Sequence, residues 1–375
     1  MIRLLSIQPV AERGGSDQAL VRMLRSLPSD EFDCHVVVPA EPPLREQLEA
    51  VGVDVHIIPM RRISTSHGAL AWLAYALAWP ITVLRLARLV RRLRVDVVHT
   101  NSLHSWYGWA AARLARRPHV WHAREITVQS NMALRVERFL TRRYADRVIS
   151  MSYAIADKLD ARDIVVIHET ADADEFNPQR AGNFRRGVGI PDDVLLIGAA
   201  GRIDSWKGID VLLDAFEQLR AVRPDPQLVI VGGPVAGKEE LYQSLEARAA
   251  GIPGAHWIGA RSDMPDVLAD LDLFVLPSTE PEPYGLVLVE ALASGVPVVA
   301  TDAGGPPEIV ADARWGGGRL VPPRNVPALV DAISAALRET PATSTAARAA
   351  RPTLRDPEPD RFAEVFRTVV ELRAR

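Results

Sequence analysis

Cysteine is almost missing from this chain: Cys34 is the only one in 375 residues. A lone thiol closes no internal disulfide, which excludes a disulfide-stapled framework and fits a reducing compartment. Within an apolar run, Cys34 reads as a small core residue. Metal-ligand spacing is missing too, because the histidines form no set with Cys, Asp or Glu at the intervals a bound zinc needs. The apolar stretch 69–84 contains Pro80 and falls short of the ~20 residues of a membrane span. The opening Met1-Ile-Arg-Leu-Leu-Ser-Ile is too short for a secretory signal core and reads as a first strand. No base-stacking motif is visible, which together with an acidic second half argues against nucleic acid.

What is present points to two domains. A chain of 375 residues exceeds the roughly 250–300 at which single cores stop growing. Apolar and charged fractions of 48% and 24% are those of an ordinary soluble globular protein. The net charge of −3 conceals an asymmetry: residues 1–186 hold 26 Lys and Arg against 20 Asp and Glu, the remainder 18 against 27. A basic first half suits an anionic acceptor or a membrane surface, or is simply a set of solvated helix faces.

Short apolar runs alternate with helix-period segments throughout, the pattern of parallel sheets with crossover helices. Strands are expected at Arg3–Gln8, His35–Val38, Val53–Ile58, Val95–His99, His119–His122 and Arg147–Met151. The pattern restarts at Val194–Ala199, with further strands at Gln227–Val231, His256–Ile258, Leu273–Leu276 and Val298–Thr301. In the helix after Gly208, Ile209, Leu212, Leu213, Phe216 and Leu219 form one stripe. Each half opens with a strand and a glycine-containing loop. The expectation is two Rossmann-like doubly wound domains, 1–170 and 171–357, with a final segment 358–375, and a ligand in a cleft beyond the C-terminal strand ends. Pro341 to Pro359 reads as a loosely ordered connection.

The most informative stretch runs Glu282-Pro-Tyr284-Gly285-Leu286, then Glu290-Ala-Leu292, then Gly295-Val-Pro297. A carboxylate and a Gly turn precede an apolar helix that carries a second carboxylate one turn inside. A helix N-terminus offers unpaired N–H groups and its positive dipole end to an anion, and Glu290 is placed to accept from a vicinal diol such as a ribose. Upstream, Gly201-Arg202 ends a strand and Lys207-Gly208 opens a helix. Cations at a helix N-terminus oppose the dipole unless they hold an anion, and a planar fork plus a point charge suit a diphosphate. Gly14-Gly15 precedes a helix that Ser16 or Asp17 could cap. It is compatible with close backbone approach to a ligand or with a plain tight turn.

These features resemble glycosyltransferase family 4, retaining enzymes of GT-B fold: the Glu-x7-Glu signature at Glu282 and Glu290, the Gly-Arg-x4-Lys-Gly pair, and Gly304-Gly305-Pro-Pro-Glu308. The resemblance covers essentially the whole chain and is most specific in the second half. It implies a nucleotide-diphosphate sugar donor, no cofactor and no essential metal. Arg202 and Lys207 would neutralise the leaving diphosphate, Glu290 would hold the ribose and Glu282 the sugar hydroxyls. The N–H groups of Tyr284, Gly285 and Leu286, and Gly15 of the first half, would face phosphate or sugar. Glu308 is a cap or a ligand. His122, within Trp121-His-Ala-Arg124-Glu125, takes the place of a family histidine near the donor sugar, with His99 as its rival. The final helix would pack back on the first domain. The implied reaction moves a hexose-type sugar to an acceptor hydroxyl on a glycan, lipid-linked or small molecule, in the cytoplasm or at the inner membrane face. A nucleotide-sugar epimerase of the same fold and a non-catalytic sugar-nucleotide binding protein are the alternatives.

One segment departs from the family. Glu169-Thr170 stands where Asn-Gly is usual, so a residue that tolerates positive φ is missing from the turn between domains. Asp172-Ala-Asp174 imitates a metal motif of another fold. Gly232 to Glu239 nearly spells a P-loop, but Glu239 replaces the hydroxyl residue that reaches Mg²⁺ and would repel phosphate. In 69–94, Leu86, Leu89, Val90 and Leu93 share a face among Arg85, Arg88, Arg91, Arg92 and Arg94. This is either a helix that leans on an anionic membrane or a crossover helix with a solvated basic side.

Overall fold

The computed structural model describes residues 1–11, 15–61, 69–126, 130–312, 318–339 and 360–374. Gly14 and the Pro341–Pro359 connection therefore lie outside the described residues. The chain divides into two compact units, Met1–Glu169 with Pro357–Arg375, and Thr170–Asp356.

In the first unit, β1 (Ile2–Ile7), β2 (Phe32–Val38), β3 (Asp54–Ile57), β4 (Val97–Thr100), β5 (His119–Ala123), β6 (Arg147–Ser150) and β7 (Ile164–Val166) form one sheet. The sheet is parallel, in the order β3-β2-β1-β4-β5-β6-β7. Neighbouring residues of a strand point to opposite faces, and the core divides accordingly. Leu4, Val36, Val97, Val120 and Ile149 pack beneath α1 (Gly15–Ser26), α2 (Arg45–Ala50) and the C-terminal helix α14 (Arg361–Ala374). Leu5, Ile7, Val37 and Val98 pack beneath α3 (Ala69–Arg92) and α4 (Tyr107–Ala115). Next to these lie α5 (Asn131–Tyr144) and α6 (Tyr153–Leu159). Helix α14 buries Ala363, Phe366 and Val369 and ties Arg367 to Glu31 at 2.6 Å.

The face of α3 that carries Leu86, Leu89 and Val90 belongs to this core, so those residues are not available to a membrane. Periodicity identified the apolar face correctly, but the sheet covers it. At the end of the unit, no residue from Ile164 to Val188 takes a positive φ. Glu169 instead anchors the turn by a buried ion pair with Arg124.

The second unit holds β8 (Leu196–Ala200), β9 (Gln227–Val231), β10 (Ala255–Gly259), β11 (Leu273–Leu276), β12 (Val298–Thr301) and β13 (Arg319–Val321). This sheet is also parallel, in the order β10-β9-β8-β11-β12-β13. Its helices are α7 (Phe184–Val188), α8 (Ile209–Val222), α9 (Glu239–Ala250), α10 (Met264–Ala269), α11 (Leu286–Ala293), α12 (Pro306–Ala311) and α13 (Val326–Glu339). The α8 stripe seals one face with α13 residues Leu329, Ile333 and Leu337. In both units strand order reverses beside the first strand, between β1 and β4 and between β8 and β11. Ligands of doubly wound sheets bind outside the strand ends at such a switch.

Candidate functional site

The loops at the switch point of the second unit carry Arg202, Lys207 and Glu282. Beyond β8, Gly201 and exposed Arg202 lead into a 3-10 turn, Ser205–Lys207, and then α8. Gly208 joins the two with φ 69°, and a Cβ there would stand 2.0 Å from the Pro277 carbonyl oxygen. Absence of a side chain thus lets the turn lie directly against the end of β11. Thr279 fastens the contact by donating its backbone N–H to the Trp206 carbonyl at 2.7 Å.

That approach brings Lys207 to Glu282. Lys207 Nζ donates to Glu282 Oε2 at 2.7 Å, with the two side chains 15% and 8% exposed. Ser278 Oγ donates to the same carboxylate oxygen at 2.9 Å. The ammonium also lies 4.2 Å from the centre of the Trp206 ring, a cation–π contact that helps fix it. An ammonium has three donors, so one bond to Glu282 leaves others for an anion. Arg202 makes no ion pair with a described residue.

Glu282 is held from behind. Its N–H donates to the Ala303 carbonyl at 3.1 Å and its carbonyl accepts from the Gly305 N–H at 2.8 Å. The Gly304-Gly305 loop is therefore a backbone clamp on the Glu282 turn, and Glu308 sits in the first turn of α12. Gly285, with φ 105°, then caps α11. The N–H groups of Gly285 and Leu286 donate to no described residue, as expected of a helix start. Tyr284 is buried and Glu290 half-buried on α11, one turn inside.

Two neighbours were missed from sequence. Ser278 carried no pattern; only its place just after an all-apolar strand could have flagged it. Lys238 belongs to the stretch that nearly spells a P-loop. It reaches across to Asp204 at 2.6 Å. Burial acts to raise the Asp204 carboxyl, but the Lys238 ammonium holds it below the ordinary carboxylate range. Glu239 takes the Gly237 N–H at 3.0 Å, occupying a donor that a phosphate-cradling loop would need. Asp172 Oδ1 accepts the Asp174 N–H at 3.0 Å, which makes that pair a local turn.

In the first unit the structure places Gly15 at the exposed start of α1. Nearby, Gln8 at the end of β1 accepts from Asn101 Nδ2 at 2.8 Å and donates to Asp17. His122 requires a correction. It is completely buried, with its ring 5.8 Å from Phe362 on α14 and 5.5 Å from His99. Neither ring nitrogen has a hydrogen-bond partner among the described residues. Strand alternation turns it into the core under α14, and the side chain that follows the end of β5 is Arg124. His99, the rival, is equally buried and bonds Ser6 Oγ at 2.9 Å.

These rings are basic groups kept neutral. Burial pushes His99 down to about 3 and His119 to about 4, and burial with the nearby Arg124 charge pushes His122 well below its ordinary value. Below about pH 6.5 the unfolded chain takes up protons that the folded chain refuses. Stability therefore falls as pH drops through the window between that value and the depressed folded ones. His99 alone contributes a loss on the order of 2 kcal/mol at pH 5. Urea unfolding of His122→Leu at pH 7.5 and pH 5 is expected to show a smaller acid loss than wild type, with turnover near wild type. An unchanged acid loss, or collapse of turnover in a folded variant, contradicts this placement.

Residues 181–352 match the family described as Glycosyl transferases group 1, and residues 14–171 match a Glycosyl transferase 4-like domain. The chain is 32% identical over 213 residues to LpsB of Rhizobium meliloti (strain 1021), a lipopolysaccharide core biosynthesis mannosyltransferase, covering 56% of this chain and 60% of that one. It is 29% identical over 322 residues to the GDP-mannose-dependent alpha-mannosyltransferase of Mycobacterium tuberculosis (strain CDC 1551 / Oshkosh), covering 80% and 79%. Several other curated relatives are matched over only 50–56% of their own length. Among solved structures, Anabaena HepE in complex with UDP and glucose is similar with a TM-score of 0.79 at 24% identity, over 100% of both chains. At that identity the likeness is one of fold, and the fold is GT-B.

Proposed function

This chain belongs to the group 1 glycosyl transferases, and from that premise we propose that it is a retaining, metal-independent glycosyltransferase. It moves a hexose-type sugar from a nucleotide-diphosphate sugar to an acceptor hydroxyl. The names of relatives that use GDP-mannose, or that were crystallised with UDP and glucose, support a hexosyl donor. The acceptor is a glycan, a lipid-linked sugar or a small molecule, met in the cytoplasm or at the inner membrane face.

The observation that carries this reading is the Lys207–Glu282–Ser278 cluster at the β8/β11 switch, with Arg202, which makes no ion pair with a described residue, in the loop that leads from β8 to Lys207. As the bond to the sugar breaks, negative charge grows on the diphosphate. Lys207 and Arg202 supply positive charge there without a metal ion, in a partly dry site where such charge counts most. The N–H groups of Gly285 and Leu286, which donate to no described residue, open the start of α11 to the same anion. Glu290 accepts from the ribose diol and Glu282 from sugar hydroxyls. Glu282 is already committed to an ammonium, so double displacement through it is disfavoured. Attack on the face the leaving group departs from, with the departing phosphate taking the acceptor proton, needs no protein base. Removal of His122 to the core is compatible with that scheme.

The direct test is a thermal-shift panel of UDP, GDP, ADP and TDP, followed by a transfer assay. One nucleotide at saturating concentration is expected to raise the melting temperature by about 5–10 °C. Glu290→Gln should weaken that nucleotide about tenfold or more, the value of a charge-assisted bond pair. No shift with any of the four defeats the donor assignment. Conversion of donor to an epimer without acceptor, or binding without turnover, replaces it with one of the two alternatives.

A further inference from the structure

The outer surface of the first unit carries an apolar stripe that nothing in the described structure covers. On α3, Leu73, Leu77, Ile81 and Leu84 are 46–67% exposed. Their spacing of four, four and three puts them on one side of the helix, opposite the Leu86 face that packs on the sheet. By the helical rise the stripe is roughly 16 Å long. It continues sideways: Trp79 contacts Trp109 of α4, Trp109 stacks on Tyr144 of α5 at 4.2 Å, and Tyr144 meets exposed Phe139. The same surface is basic. Arg85, Arg88 and Arg92 follow the stripe along α3, exposed and without an ion pair to any described residue, and four arginines of α5 with Arg162 surround Phe139.

We propose that this surface docks on a bilayer rich in anionic phospholipid, with the α3 leucines entering the acyl boundary and the arginines meeting the phosphates. An apolar strip edged by arginine is the composition of an interfacial helix. The basic balance of residues 1–186 gives the attraction its sign. Composition alone would also let Leu73–Arg92 span a membrane. Tyr75, Val83, Leu86 and Val90 are committed to the core of the unit, however, so the helix lies on the surface and does not cross. The proposal uses none of the residues of the diphosphate site and stands apart from the transferase reading.

The test is flotation of the full chain with phosphatidylcholine vesicles, with and without phosphatidylglycerol, at ~0.1 M and ~1 M salt, where screening differs about threefold in length. Binding is expected only with phosphatidylglycerol and low salt. Arg88→Gln with Arg92→Gln should lower partitioning about tenfold or more, and Leu77→Glu with Ile81→Glu should abolish it. Val222→Glu, at an exposed apolar position of the second unit, should leave it unchanged. Circular dichroism and soluble donor turnover confirm that each variant is folded. Failure to float with phosphatidylglycerol vesicles, or flotation indifferent to Leu77→Glu/Ile81→Glu, overturns the proposal. So does light scattering that shows a vesicle-free dimer dissolved by the same variant, because a second copy would then be the occupant.

Discussion

Lys207→Ala is expected to lower kcat/KM about a thousandfold, the upper range for removing one donor from a developing oxyanion, and to destabilise the protein as well. Both effects follow from one contact. The Lys207 ammonium is the only cation bonded to Glu282 among the described residues, at 2.7 Å. Its removal leaves a buried carboxylate with Ser278 as its one side-chain donor among the described residues, and stripping one partner from a buried pair costs about 3–5 kcal/mol. Glu282→Gln in the same chain removes the stranded charge. The double variant should therefore recover most of the urea-unfolding free energy yet none of the turnover. Turnover is read against Glu282→Gln alone, because Glu282 is itself placed on the sugar hydroxyls: a cation that acts on substrate takes the double variant well below that single variant, whereas one that merely neutralises its neighbour leaves the two equal. Lys207→Arg should recover turnover only in part, because a planar fork cannot sit where a compact ammonium did. Turnover of Lys207→Ala within tenfold of wild type, or its rescue by Glu282→Gln, removes Lys207 from the proposed role.

The parts of this molecule that were legible in its sequence are the parts governed by local rules. The α8 stripe, the buried run of β11 and the glycine before α11 each express a period or a cap within a few residues. The Glu282 and Lys207 patterns were likewise short-range, although nothing in them said the two side chains would touch. That contact depends on Gly208 lying against Pro277, a meeting of segments far apart in the chain. The short elements β7, β13 and α7 went unread because three to five residues hold too little periodicity to stand out. His122 fails for a related reason. All five residues of β5 are buried, since helices cover both faces of a parallel sheet. Polarity therefore does not reveal which face a side chain takes, and the helix over His122 comes from the far end of the chain. On α3 the sequence identified an apolar face among arginines but could not say whether sheet or lipid would cover it. The Glu169-Thr170 departure resolves in the same way: a long-range ion pair with Arg124 does what a left-handed turn residue does elsewhere.

Gly304→Ala is expected to be among the most destabilising conservative changes in the second unit, by about 2–5 kcal/mol, and to disable the site with it. Gly304 has φ 84°, and a Cβ there would stand 2.0 Å from the Glu282 carbonyl oxygen and 2.7 Å from its nitrogen. Both neighbours are backbone, so no rotamer change relieves the overlap. The loop has to withdraw by an ångström or more. In doing so it breaks the Gly305 N–H bond to the Glu282 carbonyl and the Glu282 N–H bond to Ala303, each worth about 0.5–1.5 kcal/mol, on top of about 1–2 kcal/mol for the left-handed backbone. Gly237→Ala isolates the last of these costs. Gly237 has a similar φ of 80°, but a Cβ added there meets nothing within 4 Å, so its loss should stay near 1 kcal/mol, the low end of the backbone cost. Urea unfolding of both variants gives the difference directly. Because withdrawal of the loop also carries Glu282 away from Lys207, Gly304→Ala should weaken nucleotide binding while Gly237→Ala does not. Equal destabilisation of the two would show that Glu282 is held in place by something other than the Gly304-Gly305 clamp.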